Sequence, residues 1–231
     1  NRVAKTIAIT GCSRGIGRET VRCLLEDGHE VIALSRNCDN LEDLKKRFSK
    51  LDALELDFAN EKGREGVVDF LERNDKTLDG IVHNAGLLLN KPFAETSIED
   101  MISVYTVNVF SVSELTRKLL PFFNPGAHVV SISSMGGIQG SMKFPGLAAY
   151  SSSKGALITL MELLAEEFKD KNLSFNTLAL GAVQTEMLNE AFPGYQASVS
   201  AETMGAYVAR FALTGQELYN GKVLQVSNST P

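Results

Sequence analysis

Cysteine is scarce in this chain, and what there is does not pair. Cys12, Cys23 and Cys38 are odd in number and show no CxxC or CxxH spacing, which argues against a disulfide framework or zinc site and for a reduced, cytoplasmic setting. Histidine is equally rare. His29, His83 and His128 lack ligand spacing, so they read as structural and no metal is expected. Basic residues are in deficit, 23 against 28 acidic ones for a net charge of -5. A nucleic-acid partner is therefore not expected, since that surface needs excess Lys and Arg to displace counterions from phosphates. No apolar stretch approaches a bilayer span, and the opening NRVAKTIAIT is too short in its apolar run for a signal peptide, so no membrane association is expected. Without an initial Met, the start reads as trimmed. No Pro/Ser/Gly linker, charge run or repeat divides the 231 residues, and residues 1–231 are expected to form one domain.

What is present is alternation. Apolar runs of strand length at 3–10, 30–35, 53–57, 79–86, 127–134, 174–180 and 222–227 are separated by segments of helical period. Those helical segments fall at 17–28, 41–48, 65–74, 98–123, 149–169 and 203–213. Strands that are nearly continuous in apolar residues need cover on both faces. The chain is thus expected to be an α/β protein: a Rossmann-like, doubly wound parallel sheet of about seven strands with helices on both faces, binding ligands at the strands' carboxyl ends.

Two patterns there carry chemistry. Thr10-Gly11-Cys12-Ser13-Arg14-Gly15-Ile16-Gly17 joins the first strand to the first helix, where glycines permit a tight turn and close approach to a pyrophosphate at the helix N-terminus. Tyr150 and Lys154 stand four apart at the start of the long helix and share a face. A phenol with a pKa near ~10 is a poor acid-base group at neutral pH unless a cation stabilises its anion. An ammonium at ~4 Å would supply up to ~4 kcal/mol at an effective dielectric of ~20, bringing Tyr150 near neutrality.

These residues together resemble the short-chain dehydrogenase/reductase family, in its short single-domain form, over nearly the whole chain. TGCSRGIG (10–17) is similar to the family's dinucleotide loop, LDF (56–58) with Asp57 and Phe58 to its adenine-binding segment, and HNAG (83–86) with Asn84, Ala85 and Gly86 to the motif after the fourth strand. YSSSK (150–154) resembles the catalytic helix; Asn108 and Ser134 fall where the family places its catalytic Asn and Ser. The resemblance implies that Tyr150 transfers the substrate proton, Ser134 hydrogen-bonds the reacting oxygen, Lys154 lowers the Tyr pKa and holds the nicotinamide ribose, and Asn108 anchors a water on the proton path. The hydride would come from the cofactor.

Differences from the family pattern fall on substrate and assembly features. LALGAVQT (178–185) has Leu180 in place of the family's Pro, with Gly181, Val183 and Thr185 still expected at the nicotinamide. His83 replaces an Asn, and an extended stretch before Tyr150 places Met142, Lys143 and Phe144 at the mouth of the site. The segment after Thr185, with Leu188, Phe192 and Tyr195, is a short lid, and the chain ends in SNSTP. The substrate is expected to be a small carbonyl or alcohol. The cofactor is expected to be NADP(H): Ser35 stands where an NAD-specific site carries an acid, and Arg36 and Arg14 would converge on a 2'-phosphate. Ser13, Gly15 and Ile16 complete the phosphate loop. By resemblance the chain is expected to form a homodimer or homotetramer through the helices at 98–123 and 149–169, with Leu157, Leu160, Leu164 and Phe168 as one apolar stripe. Two alternatives are a dinucleotide-sensing module without catalysis and an NAD(H)-preferring dehydrogenase.

Overall fold

Seven strands, all parallel, form one sheet in the order β3-β2-β1-β4-β5-β6-β9 in the computed structural model, which describes residues 3–228. The strands are β1 (Thr6–Thr10), β2 (Glu30–Ser35), β3 (Leu51–Glu55), β4 (Leu78–His83), β5 (Phe123–Ser134), β6 (Ser174–Leu180) and β9 (Val223–Val226). Their alternating side chains explain the continuous apolar runs. Ile7, Ile9, Ala33, Val130 and Leu178 point into one core, and Ala8, Ile32, Leu34, Val129 and Phe175 into the other.

The first core is closed by α1 (Gly15–Glu26) and α8 (Ala201–Thr214), with α2 (Glu42–Arg47) at its margin. On α1, Gly17, Thr20, Val21, Leu24 and Leu25 make a buried face at helical spacing. The second core is closed by α3 (Glu61–Arg73), α5 (Ser111–Leu119) and α6 (Ala148–Glu167). Asn60 starts α3 by accepting from the Gly63 N–H at 2.8 Å, and a Ser97/Asp100 capping box starts α4 (Ile98–Tyr105).

Most sequence boundaries hold to within a few residues, but three expectations change. The helical segment 98–123 is broken: α4 passes through a π turn at Thr106–Phe110 into α5, and β5 already begins at Phe123. The lid has structure of its own, a parallel pair of β7 (Val183–Gln184) and β8 (Val199–Ser200) flanking α7 (Glu186–Ala191). Of the stripe expected to support an interface, Leu157 is buried in the second core and Leu160, Leu164 and Phe168 pack against that core half-buried. Ile98, Ile102, Phe110 and Leu163 are the apolar residues of α4, the π turn and α6 left exposed. Of SNSTP, residues 229–231 lie outside the described residues.

The chain reverses direction across the sheet between β1 and β4, its neighbours in space. Connections leave these strands toward opposite ends of the sheet and open a crevice at their carboxyl ends. The motif residues gather there.

Candidate active site

The glycine loop is built by close contact. Gly11 has φ +69°, and a Cβ there would lie 2.7 Å from the Ala85 Cα; a Cβ on Gly17 would overlap the Gly11 carbonyl and the Asn84 amide. Thr10 Oγ1 accepts from the N–H groups of both Asn84 and Ala85 at 3.1 Å, and Asn84 Nδ2 donates to the Gly11 carbonyl at 2.9 Å. Gly15 (φ +58°) opens α1, whose N-cap, Arg14, makes no side-chain cap. The first-turn N–H groups therefore face the crevice beside Ser13 and Ile16 without a side-chain acceptor, as an anion requires.

Across the crevice, Ser134 ends β5 and Tyr150 and Lys154 lie on the first turns of α6. The Tyr150 phenol lies near enough to Ser134 for that side chain to act on its acidity, and Ser134 Oγ accepts from the Gly136 N–H at 3.2 Å. Lys154 is buried, and its Nζ donates to the Ile132 carbonyl at 2.8 Å while lying 5.7 Å from the Tyr150 ring centroid. A Cβ on Gly86 would come within 3.3 Å of that Nζ, so the HNAG turn forms the opposite wall. Asn108 is wholly buried in the π turn, its Oδ1 accepting from the Leu87 N–H at 2.8 Å and its Nδ2 donating to the Leu87 carbonyl and to Ser153 Oγ, both at 3.0 Å. The Asn108 amide thus clamps the loop after β4.

The electrostatics differ from expectation. Burial pushes the Tyr150 phenol up to about 12, with Ser134 opposing it, and burial lowers Lys154 to about 8. Desolvation disfavours the charged form of each group, and Lys154 does not figure among the groups acting on the phenol. A phenol held protonated at neutral pH is ready to give a proton to a developing alkoxide.

The other predicted residues divide. Ser35 is buried at the end of β2 and Arg36 is exposed just beyond it, next to the glycine loop through the Gly11 N–H bond to the Leu34 carbonyl at 3.0 Å. Arg14 does not converge with Arg36. Its guanidinium forms a two-pronged pair with Glu190 of α7, at 2.6 and 3.0 Å. Asp57 is exposed, accepting from the Ala59 N–H at 3.1 Å, and Phe58 is buried beside it. Leu180 simply continues β6, and the Gly181 N–H donates to the Val226 carbonyl at 3.0 Å. Val183 is buried in β7, and Thr185 caps α7 by accepting from the Leu188 N–H at 3.2 Å. Met142 and Phe144 are exposed, whereas Lys143 Nζ folds back onto Ile138 and Ser141 of its own loop. His83 is buried against Thr116 Oγ1 at 2.9 Å and lowered to about 3 by burial, so it stays neutral. His128 bonds Asn176 and the Ala212 carbonyl.

Three residues have roles in the site that the sequence did not assign. Thr10 joins β1 to the HNAG turn, Ser153 links Asn108 to the Tyr150 carbonyl (2.6 Å), and Asn90 ties the loop after β4 to the lid through the Ala191 carbonyl (3.0 Å). Ser153 had a signal, because it sits three residues after Tyr150 on the same helix face. Asn90 had none, since its partner is 101 residues away.

Comparison with known proteins places this architecture. Residues 5–196 match the family described as short chain dehydrogenase. The chain is 29% identical over 201 residues to cyclopentanol dehydrogenase of Comamonas sp. (strain NCIMB 9872), covering 84% of this chain and 79% of that protein. It is 31% identical over 183 residues to carbonyl reductase [NADPH] 2 of Sus scrofa, covering 78% and 72%. The fold superposes on 4-hydroxyisoleucine dehydrogenase complexed with NADH with a TM-score of 0.88 at 24% identity, over 97% of this chain and 98% of the other.

The buried ammonium makes stability depend on pH. Between about 8 and 10.5 the folded state holds Lys154 neutral while the unfolded chain still binds its proton, so stability rises with pH through that window and is lost as pH falls toward 8. Lys154→Met removes this term. The variant is expected to melt above the parent at pH 7, with the gap closing as pH rises from 8 to 10. A pH-independent gap in Tm would show that Lys154 is not buried as a strained cation.

Proposed function

The chain belongs to the short-chain dehydrogenase family, and from that membership we propose that it is an NADP(H)-dependent oxidoreductase acting on a small carbonyl or alcohol, with Tyr150 as acid/base. The observation that carries this reading is the grouping of Tyr150 and Ser134 beside the buried Lys154, facing an uncapped helix N-terminus across the crevice. The close glycine contacts fix the loop at the start of α1, where its free N–H groups suit the pyrophosphate of a dinucleotide. Gly11, Ser13, Gly15, Ile16 and Gly17 would hold its pyrophosphate, Asp57 and Phe58 its adenine, and Asn84, Ala85, Gly86, Lys154, Gly181, Val183 and Thr185 its nicotinamide half. When bound, that group supplies the hydride.

The residues do the rest. Ser134 and Tyr150 bind the reacting oxygen, and Tyr150 gives its proton as negative charge develops there. Lys154 presents its charge to the phenolate that remains. Because the Asn108 amide is committed to Leu87 and Ser153, the widened π turn around it, and not the amide, is the place for a water that restores the proton. Substrate enters past Met142, Phe144 and Tyr195, whose exposed apolar surface favours a modest, partly apolar molecule. The names of the relatives, a cyclopentanol dehydrogenase and a carbonyl reductase, support that class.

NADP(H) preference is supported by Ser35 in the place of an acid and by the exposed Arg36, with Arg14 of the glycine loop as the second cation proposed to take the 2'-phosphate. The NAD(H) reading has support as well: Arg14 is engaged by Glu190, and Asp39, Asp43 and Glu186 line the cleft of about 780 Å3 beside the loop. A homodimer or homotetramer is proposed through the face carrying Ile98, Ile102, Phe110 and Leu163, each more than half exposed, because apolar groups collected on one face mark an interface. The free thiols of Cys12, Cys23 and Cys38 accord with a reducing, cytoplasmic environment.

Tyr150→Phe is expected to lower turnover of a reducible carbonyl by at least ~10²-fold while leaving NADPH affinity within a few-fold; retained activity would overturn the acid/base role, and a parent inactive on every carbonyl and alcohol tried would favour a sensing module. For the cofactor, kcat/KM is expected to favour NADPH by about 10-fold or more, and Ser35→Asp with Arg36→Leu to reverse that order. A parent that prefers NADH decides for the other reading. Sedimentation at micromolar concentration is expected to show a dimer or tetramer that Ile102→Glu dissociates; a monomeric parent removes the interface.

A further inference from the structure

We propose that Glu190 is a specificity-determining residue: it occupies Arg14 until an adenosine 2'-phosphate takes its place, so that the phosphorylated cofactor unlatches α7 and the unphosphorylated one leaves it latched. The inference rests on the reading above that Arg14 takes the 2'-phosphate.

Three observations carry it. The first is the pair itself. Both prongs of the Arg14 guanidinium are used, Nη1 to Oε1 at 2.6 Å and Nη2 to Oε2 at 3.0 Å, and a phosphate would need the same two donors. Glu186 of α7 also acts on Arg14, so the guanidinium faces two carboxylates of the lid, and both it and Glu190 remain charged at neutral pH. The second is how the lid is held. No residue of α7 is fully buried and only Met187, Leu188 and Ala191 are half-buried, so polar contacts share in positioning it. Its last turn reaches both walls of the crevice: Glu190 goes to the glycine loop, and the next residue, Ala191, accepts through its carbonyl from Asn90 of the substrate-side loop at 3.0 Å. Losing Arg14 releases one of that turn's two tethers. The third is exposure. The side chains are 43% and 64% accessible, so the pair is weak enough for an arriving dianion to displace. A fully buried pair would not exchange.

The cost of displacing an exposed pair sets the size of the effect, about 2- to 5-fold in affinity. Calorimetric titration with NADPH and with NADH would be run on the parent, Glu190→Gln, Arg14→Gln and the double variant. Glu190→Gln is expected to tighten NADPH about 2- to 5-fold with NADH unchanged, and to have no effect once Arg14 is replaced. Hydrogen exchange over residues 186–192 supplies an independent readout: in the parent it should be faster with NADPH bound than with NADH, and in Glu190→Gln equal. If Glu190→Gln leaves NADPH binding unchanged, or tightens both cofactors alike, the competition is wrong even though Arg14→Gln weakens NADPH. If Arg14→Gln leaves the NADPH-to-NADH ratio untouched, the Arg14 reading itself fails and this inference falls with it.

Discussion

The organisation of the crevice depends on one close approach, that of the glycine loop to the exit of β4. Gly11 sits so near Ala85 that no side chain fits, Gly17 lies against the Gly11 carbonyl, and Thr10 and Asn84 cross-link the two segments. These contacts fix where α1 begins relative to Gly86, and Gly86 in turn borders Lys154 and Asn108. The two halves of the sheet thereby meet at one point, with helix-terminal N–H groups on one wall and titratable side chains on the other. Overpacking that point by one methyl group would shift both walls together, because interiors at crystal-like density have no slack to absorb it.

On the second wall the governing term is desolvation. Lys154 is buried with one carbonyl partner, and Tyr150 is held protonated. A cation kept in such a place is costly in the resting protein and strongly felt by any negative charge that forms nearby, since the low local dielectric strengthens both effects. The site thus combines a neutral acid with a poised positive charge. Simple pairing of Tyr and Lys on a helix face, argued from their spacing alone, captured the partners but not the sign of the phenol's shift.

Much of the fold was legible because its signals are local. Alternating apolar strands and helical periods each act within a few residues. The glycine loop and Tyr150/Lys154 were legible for the same reason. What escaped was either tertiary or conformational. The π turn at Thr106–Phe110 leaves hydrophobic spacing almost intact while changing the hydrogen-bond ladder. The stripe from Leu157 to Phe168 had the right period, but periodicity does not say which partner covers a face; the sheet does. Arg14 was placed at the correct junction, yet its partner lies 176 residues further on in a lid whose short strands carry no pattern of their own.

The lid's helix contributes no fully buried residue and is fastened partly by an ion pair, an amide-to-carbonyl bond and a threonine cap. Substitutions at its exposed positions escape the cost that core changes incur, so the lid can be altered with little loss of stability where the sheet beneath cannot.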